Sequence, residues 1–247
     1  MSELSKKVTI ITGASSGIGK SIAKSVAAKG GTVILAARSE DKLKDLVDKI
    51  IAEGGNADFF VTDVTDLDNT KSLVAYTLEK YGRIDHFINN AGLMLFSNWE
   101  DVVVDDWQKM ININLMGYLN GIASVLPYFV ETKCGLILNT SSVAGIHVGK
   151  SSGVYSATKF FIRGITESLR KEVGVKYGIR TSMISPGVID TGWTEKVNDE
   201  AGKKVAMEVN DVGIDPKYIG DAVAYALAQP DEVNIFDLVV HPTLQDW

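Results

Sequence analysis

Short apolar runs alternate with amphipathic helical patterns along this chain of 247 residues. The runs are rich in Val, Ile and Leu, as are strands that are buried on both faces of a sheet. Several helical patterns end at a glycine, for example Gly82 and Gly178. Alternation of this kind predicts a parallel sheet with helices on both faces, and right-handed crossovers make it doubly wound.

We therefore expect one α/β domain over residues 1–247, with a sheet of about seven strands. The predicted strands are Val8–Thr12, Thr32–Ala36, Ala57–Val61, His86–Asn89, Leu136–Thr140, Arg180–Ile184 and Ile235–Val240. The predicted helices are Ile18–Lys29, Asp41–Glu53, Asp66–Tyr81, Asp105–Thr132, Gly153–Tyr177 and Pro216–Gln229.

A glycine-rich segment joins the first predicted strand to the first predicted helix. It reads Thr12-Gly13-Ala14-Ser15-Ser16-Gly17-Ile18-Gly19. Glycines let the backbone approach a pyrophosphate, and the start of a helix offers free N–H groups and a favourable dipole. An ordinary tight turn would also use glycines, and the spacing differs from the common Gly-x-Gly-x-x-Gly pattern. Both interpretations stay open on this segment alone.

Tyr155 and Lys159 are four residues apart in a predicted helix, and Ser142 precedes Tyr155 by thirteen residues. A phenol has a pKa of about 10, which a nearby ammonium lowers. A serine hydroxyl could hold a carbonyl oxygen against that phenol. These groups could protonate a carbonyl as a hydride arrives, or deprotonate an alcohol as a hydride leaves. A solvated helix face would give the same Tyr–Lys spacing.

Together, the two segments resemble the short-chain dehydrogenase/reductase family. Further motifs follow in the family's order, and the resemblance covers nearly the whole chain. These motifs are Asn89-Asn90-Ala91-Gly92, Asn114, Ser142, Pro186-Gly187 and Thr191. The resemblance implies a Rossmann-like fold and hydride transfer between a nicotinamide dinucleotide and a carbonyl or secondary alcohol. Within the family, the chain looks most like bacterial NADP-dependent carbonyl reductases and 3-hydroxy acid dehydrogenases.

The resemblance also implies a catalytic role for four residues. Tyr155 would be the general acid in reduction and the general base in oxidation. Lys159 would lower the pKa of Tyr155 and bind the nicotinamide ribose, and Ser142 would orient the substrate carbonyl. Asn114 would hold a water that connects Lys159 to solvent, although a helix-packing amide is the simpler interpretation of Asn114.

The end of the second predicted strand favours NADP over NAD. An acidic residue at this place hydrogen-bonds the 2′-hydroxyl of NAD. Here Ala37 occupies the place and Arg38 and Ser39 follow, so a guanidinium is available for a 2′-phosphate. Asp63 is expected at the adenine, or alternatively as a helix cap. The expected cofactor contacts are Gly13, Ser15, Ser16, Gly17, Ile18, Gly19, Arg38, Ser39, Asp63, Val64, Asn90, Ala91, Gly92, Tyr155, Lys159, Pro186, Gly187, Val188 and Thr191.

The expected substrate is a small ketone or aldehyde, or the matching alcohol. Residues 193–214 mix charged and apolar side chains and are expected to form a lid over the substrate or, alternatively, a solvated helical insertion. Two alternatives remain for the function: a 3-oxoacyl-thioester reductase of fatty-acid synthesis, and an NADP-binding sensor without turnover. The expected substrate contacts are Met94, Ser142, His147, Val148, Val188 and Trp193, each of which could also be an ordinary core or loop residue.

Composition narrows the possible partners. The net charge of −6 argues against nonspecific binding to nucleic acid. We expect no signal peptide in the polar residues 1–7, no apolar run long enough to span a membrane, and no metal site. The single cysteine, Cys134, excludes an internal disulfide and fits the cytoplasm. The predicted helices Asp105–Thr132 and Gly153–Tyr177 are apolar around much of their surface, and the family resemblance implies a homodimer or homotetramer.

Overall fold

The computed structural model describes residues 4–246 and contains one parallel sheet flanked by helices. The strand order is β3-β2-β1-β4-β5-β6-β7, which confirms the predicted doubly wound, Rossmann-like α/β fold with seven strands. The strands are β1 Val8–Thr12, β2 Thr32–Ala37, β3 Asn56–Val61, β4 His86–Asn89, β5 Leu136–Thr140, β6 Arg180–Pro186 and β7 Asp237–Val240. The α-helices are α1 Gly17–Ala28, α2 Glu40–Ala52, α3 Leu67–Tyr81, α4 Val104–Ile111, α5 Gly117–Thr132, α6 Gly153–Leu169, α7 Val175–Tyr177, α8 Glu200–Asn210 and α9 Lys217–Leu227.

The two long predicted helices are interrupted by π-helical turns. Asn112–Met116 separates α4 from α5, and Arg170–Gly174 separates α6 from α7. One extra residue in a turn shifts the apolar face only slightly, so the periodicity of the sequence does not reveal it.

The last strand begins two residues later than predicted, at Asp237 instead of Ile235. The side-chain amide of Asn234 donates to the carbonyl of Thr181 at 3.0 Å, so a side chain takes the place of a ladder hydrogen bond just before the strand. Regular pairing between β6 and β7 then starts at Met183 and Asp237.

The core consists of apolar side chains on both faces of the sheet. One cluster lies under α1, α2 and α9, and the other lies under α3, α5 and α6. A third cluster lies beyond the carboxyl ends of the strands and joins Phe96, Tyr155, Trp193 and Ala206. This third cluster covers the place where an open α/β sheet binds its ligands.

The helical stretch Val104–Thr132 has the length and hydropathy of a membrane span, contrary to our expectation that no run would be long enough. It comprises α4, the π turn and α5, and 44% of its most apolar window is buried within the molecule. Tyr118 and Phe129 of α5 are fully buried against the sheet. Core helices of globular domains meet the same criterion, so length and hydropathy alone do not identify a membrane span.

Candidate active site

A cavity of about 910 Å³ lies at the carboxyl ends of β1, β4, β5 and β6. The strand order reverses between β1 and β4, and ligands of open α/β sheets bind at this point. Most residues predicted for the site line this cavity. They are Gly13, Ser15, Ser16, Gly17, Ile18, Arg38, Ser39, Asp63, Val64, Asn90, Ala91, Gly92, Met94, Ser142, His147, Tyr155, Lys159, Pro186, Gly187, Val188, Thr191 and Trp193.

Three residues predicted for the site lie outside the cavity wall. Gly19 is buried, and a Cβ there would collide with the carbonyl oxygen of Gly13, so this glycine permits close packing of α1 on the turn. Val148 is 65% exposed on the surface of its loop. The side chain of Asn114 is buried behind the wall, where its amide exchanges two hydrogen bonds of 2.8 Å with the backbone of Leu93.

The environment of Asn114 limits the water relay that we expected. Its side-chain nitrogen also donates to the hydroxyl of Thr158 at 3.1 Å, so the amide fastens the loop after β4 to α6. A relay through Asn114 would therefore have to use its backbone carbonyl. The residue lies in the π-helical turn between α4 and α5, and such turns are frequent at functional sites.

The glycine-rich segment forms a tight turn that leads into α1. Gly13 and Gly17 have φ angles of 66° and 53°, a region that residues with a side chain rarely adopt. Ser16 precedes α1 but makes no capping hydrogen bond with its side chain to the described residues, and the first turn contains no acid. The free backbone N–H groups at the start of α1 and the helix dipole suit an anionic group such as a pyrophosphate.

Asn90 holds this turn in place. Its side-chain nitrogen donates to the carbonyl of Thr12 at 3.0 Å, and its backbone N–H donates to the hydroxyl of Thr12 at 2.9 Å. The β4 end and the glycine-rich turn are thus one hydrogen-bonded unit. Asn90 thus stabilises the strand end and also lines the cavity.

Two cations line the end of the cavity next to β2. Arg38 is exposed, and Lys42 follows it in the first turn of α2. Burial opposes ionisation of Asp63, but hydrogen bonds from Thr65 and the charge of Arg38 outweigh it and hold the pKa of Asp63 below its usual value. Asp66, and not Asp63, caps α3. Guanidinium, ammonium and hydroxyl donors together fit a dinucleotide with an additional phosphate.

Ser142 and Tyr155 face each other at the opposite end of the cavity. The hydroxyl of Ser142 accepts from the N–H of Ala144 at 3.1 Å and donates to the carbonyl of Pro186 at 3.3 Å. Burial raises the pKa of Tyr155 to about 12, although a hydrogen bond with Ser142 lowers it in part. The protein alone thus does not show the lowered phenol pKa that we expected from the sequence.

Lys159, which we expected to lower the pKa of Tyr155, is itself buried beside the phenol. Its Nζ lies 5.7 Å from the centre of the Tyr155 ring and 5.6 Å from the centre of the Tyr118 ring, and it donates to the carbonyl of Thr140 at 2.7 Å. Burial lowers the pKa of Lys159 to about 7, so the ammonium is less favoured near neutral pH than in an ordinary lysine. A lysine that loses its charge more readily stabilises a phenolate less.

Aromatic side chains close the cavity above Tyr155. The rings of Phe96 and Trp193 are 5.3 Å apart between centroids, and the ring of Phe96 lies 6.5 Å from that of Tyr155. The indole N–H of Trp193 donates to the side-chain oxygen of Asn210 at 2.9 Å, which ties the start of the segment 193–214 to the end of α8. The result is a mostly apolar wall beside the hydroxyl groups of Tyr155 and Ser142.

Several residues of the site were not predicted from the sequence. Lys42 could have been found, because it lies in the first turn of the predicted helix Asp41–Glu53, three residues after Ser39. Phe96 and Tyr118 carry no local signal, since only the tertiary fold brings their rings to Tyr155 and Lys159. Further residues that line the cavity and were not named individually from the sequence are Thr62, Ser141, Lys150, Lys196, Val205 and Val209.

Comparisons with known proteins agree with this geometry. Residues 7–202 match the family model described as short chain dehydrogenase. An uncharacterized oxidoreductase of Listeria monocytogenes is 44% identical over 246 residues, which are 99% of each chain. The closed form of a serine dehydrogenase complexed with NADP+ has a TM-score of 0.88 and 30% identity, covering 97% of this chain and 96% of the other. A short chain dehydrogenase/reductase from Burkholderia phymatum, in complex with NAD, has a TM-score of 0.88 and 27% identity, covering 99% and 92%.

Proposed function

Because this chain belongs to the short-chain dehydrogenase/reductase family of oxidoreductases, we propose that it is an NADP(H)-dependent reductase of ketones or aldehydes. The observation that carries the proposal is the set of residues that line one cavity. Ser142, Tyr155 and Lys159 line one end of it, and the glycine-rich turn with Arg38 lines the other.

The choice of NADP rests on the residues beside β2. Ala37 leaves no carboxylate to repel a 2′-phosphate, and Arg38 and Lys42 offer positive charge there. The relatives alone do not decide the matter, because solved neighbours are described in complex with NADP and with NAD. The guanidinium of Arg38 next to Ala37 supports the choice of NADP.

NADP(H) would supply or accept the hydride, and the residues of this chain would bind the cofactor and move the proton. The turn at Gly13 and Gly17 would hold the pyrophosphate. Tyr155 would deliver a proton to the carbonyl oxygen in reduction, and Ser142 would orient that oxygen. The negative charge of a bound dinucleotide favours the charged form of Lys159, and the ammonium in turn lowers the pKa of the neighbouring phenol.

The substrate end suits a compound with an apolar portion next to its carbonyl. The apolar wall of the cavity consists of Met94, Phe96 and Trp193, together with Val205 and Val209 of α8. The resemblance to a serine dehydrogenase adds 3-hydroxy acids to the compounds that need testing. We propose ketones and aldehydes as the first class because apolar groups dominate around Tyr155.

The test is oxidation of NADPH and NADH against ketones, aldehydes, keto esters and acetoacetyl thioesters, with oxidation of serine and other hydroxy acids as the reverse assay. We expect turnover of ketones with NADPH, and a loss of about 10²–10⁴-fold in Tyr155→Phe, which still binds NADPH. Tyr225→Phe is the matched control, since Tyr225 is 57% exposed on α9.

Other outcomes of the panel point to the alternatives. Preference for acetoacetyl thioesters would indicate the 3-oxoacyl-thioester reductase. Binding of NADPH without turnover of any compound would indicate the sensor. Full activity in Tyr155→Phe would contradict the proposed acid–base role.

The cofactor preference has its own test in Arg38→Asp. A carboxylate at this place repels a 2′-phosphate and accepts from a 2′-hydroxyl, so we expect NADPH to lose at least about tenfold in kcat/KM relative to NADH. Lys42→Ala should also lower kcat/KM for NADPH relative to NADH, but by a smaller factor. An unchanged ratio in Arg38→Asp would contradict the assignment of NADP.

We also propose that the enzyme is a cytoplasmic homodimer or homotetramer. Ile111, Met116, Leu119 and Phe160 expose 36–46% of their surface on α4, the π turn, α5 and α6. Exposed apolar side chains on adjacent helices favour association. Sedimentation at micromolar concentration should give a dimer or larger, and Met116→Glu should shift it toward the monomer.

A further inference from the structure

The chain after β7 folds back under the loop that follows β6. The N–H of Gly187 donates to the carbonyl of Val240 at 2.8 Å. Four residues beyond His241, the side chain of Gln245 is buried, with 7% exposed, and its Oε1 accepts from the N–H of Val188 at 3.0 Å. The approach is so close that a Cβ on Gly187 would collide with Gln245 and with His241.

The other side of the same loop carries the end of the segment 193–214. The N–H of Ile214 donates to the carbonyl of Val188 at 3.2 Å, and the N–H of Asp190 donates to the carbonyl of Ile214 at 2.9 Å. Val188 is therefore bound by its N–H to the C-terminal tail and by its carbonyl to the end of the expected lid.

This loop is also part of the cavity wall. Pro186, Gly187 and Val188 all line the cavity, and the carbonyl of Pro186 accepts from the hydroxyl of Ser142. A displacement of the loop would move one hydrogen-bond partner of Ser142 and part of the cavity wall. Shifts of about 1 Å in such positions reduce turnover strongly.

We propose that Gln245 is a positioning residue: it holds the Pro186–Val188 loop in the place that hydride transfer requires. Val188 is itself buried, so its N–H needs an acceptor from the protein, and the carboxamide of Gln245 supplies it across 57 residues of sequence. The kinetic consequence rests on the proposed function, whereas the constraint on the loop does not.

Gln245→Met is the main variant, because Met has a similar size and lacks the acceptor oxygen. We expect hydrogen exchange in the peptide that contains Val188 to rise about tenfold, without a comparable rise in β1 and β2. The Kd for NADPH or kcat should worsen about tenfold. Gln245→Glu keeps an oxygen at the same place and should retain most of the protection. Leu244→Ala, at a neighbouring residue that is 81% exposed, is the control and should change neither readout.

Gly187→Ala tests the same contact from the side of the loop. A methyl group there forces the loop and the tail apart. The fold-change in hydrogen exchange and in kcat or Kd should therefore be smaller in the double variant with Gln245→Met than the product of the two single fold-changes. This coupling keeps the test informative if either single variant is poorly stable.

Three results would overturn the proposal. They are unchanged exchange at Val188 in Gln245→Met, an equal rise of exchange over the whole sheet, and a local rise that leaves both NADPH affinity and kcat unaltered. A wild-type protein that binds NADPH without turnover would contradict the proposed function instead. In that case local exchange and NADPH affinity still decide the role of Gln245.

Discussion

At the scale of the residue, the protonation of Lys159 sets what Tyr155 can do. Nζ is enclosed by two tyrosine rings and the carbonyl of Thr140, with only 4% of the residue exposed. Burial removes water from the ammonium and lowers its pKa to about 7, and the same burial raises the pKa of Tyr155 to about 12. A negative ligand nearby would favour the ammonium of Lys159, and that ammonium would in turn lower the pKa of Tyr155.

Binding of NADPH should therefore be accompanied by proton uptake above neutral pH. At pH 8.5 the free protein holds Lys159 mostly neutral, since this pH exceeds its pKa of about 7, and the bound dinucleotide raises that pKa. Calorimetry in buffers of different ionisation enthalpy should show uptake of up to about one proton. The uptake should vanish in Lys159→Met and persist in Lys176→Met, on the short helix α7. A binding enthalpy independent of the buffer would contradict this prediction.

At the scale of the element, the segment 193–214 packs onto the site through α8. Gly202 lies so close to Phe96 that a Cβ would collide with the carbonyl of Phe96, and Phe96 in turn contacts Trp193 and Tyr155. Asp199 caps α8 by accepting from the N–H of Gly202, which fixes where the helix starts. The position of α8 is thus linked to the ring that covers Tyr155.

We expect this segment to act as a lid whose exchange depends on ligand. Hydrogen exchange over residues 193–210 should slow when NADPH and a substrate analogue bind, because closure buries the backbone. Gly202→Ala should lift α8 from Phe96 and raise the KM of the substrate about tenfold, with a smaller effect on the Kd of NADPH. Gly164→Ala, where a Cβ meets nothing within 4 Å, is the control. Equal protection in the free and ternary states would argue against a lid.

The elements that the sequence predicted well are those with a local signal. β1, β4 and β5 have the predicted bounds, because each is a buried apolar run flanked by polar turn residues. α8 was not among the predicted helices and fell only within the alternative of a helical insertion over residues 193–214, since its charged residues hide a short buried face that consists of Gly202 and Ala206. The π turns were missed because they leave the apolar period almost unchanged.

For the site, motifs located the residues that approach the cavity from strand ends and from helix starts. Gln245 and Phe96 were missed because their contacts depend on how distant segments pack, and nothing in their neighbourhoods along the chain signals them. Asn114 was found, but its side chain is engaged by Leu93, a contact that no spacing rule describes.

At the scale of the whole molecule, the sheet encloses an ionisable group that the proposed reaction does not use. His86 is 1% exposed in β4, its Nδ1 lies 2.9 Å from the hydroxyl of Thr9, and its Nε2 has no hydrogen-bond partner among residues 4–246. Burial lowers its pKa to about 3, so the folded protein keeps the ring neutral. The unfolded chain, with an ordinary pKa of about 6.5, takes up a proton that the native state does not.

The free energy of unfolding should consequently decrease as the pH falls from about 6.5 toward 3, by up to about 1.4 kcal/mol per pH unit for this residue. Urea titrations between pH 6.5 and 5 measure how the free energy of unfolding changes with pH. In this range Asp85 does not yet contribute, because its pKa is also lowered. His86→Asn should flatten the slope, whereas His147→Asn, on an exposed loop, should preserve it. An unchanged slope in His86→Asn would show that other groups control acid stability.

The course of the C-terminal tail has a practical consequence for anyone who produces this protein. Leu4 lies at the amino end of β1, where its N–H donates to the carbonyl of Lys29, far from the carboxyl ends of the strands. Gln245, by contrast, touches the wall of the cavity. We expect an affinity tag fused after the tail to displace Gln245 from Val188 and to lower the measured activity. The same tag before Leu4 should leave the activity unchanged.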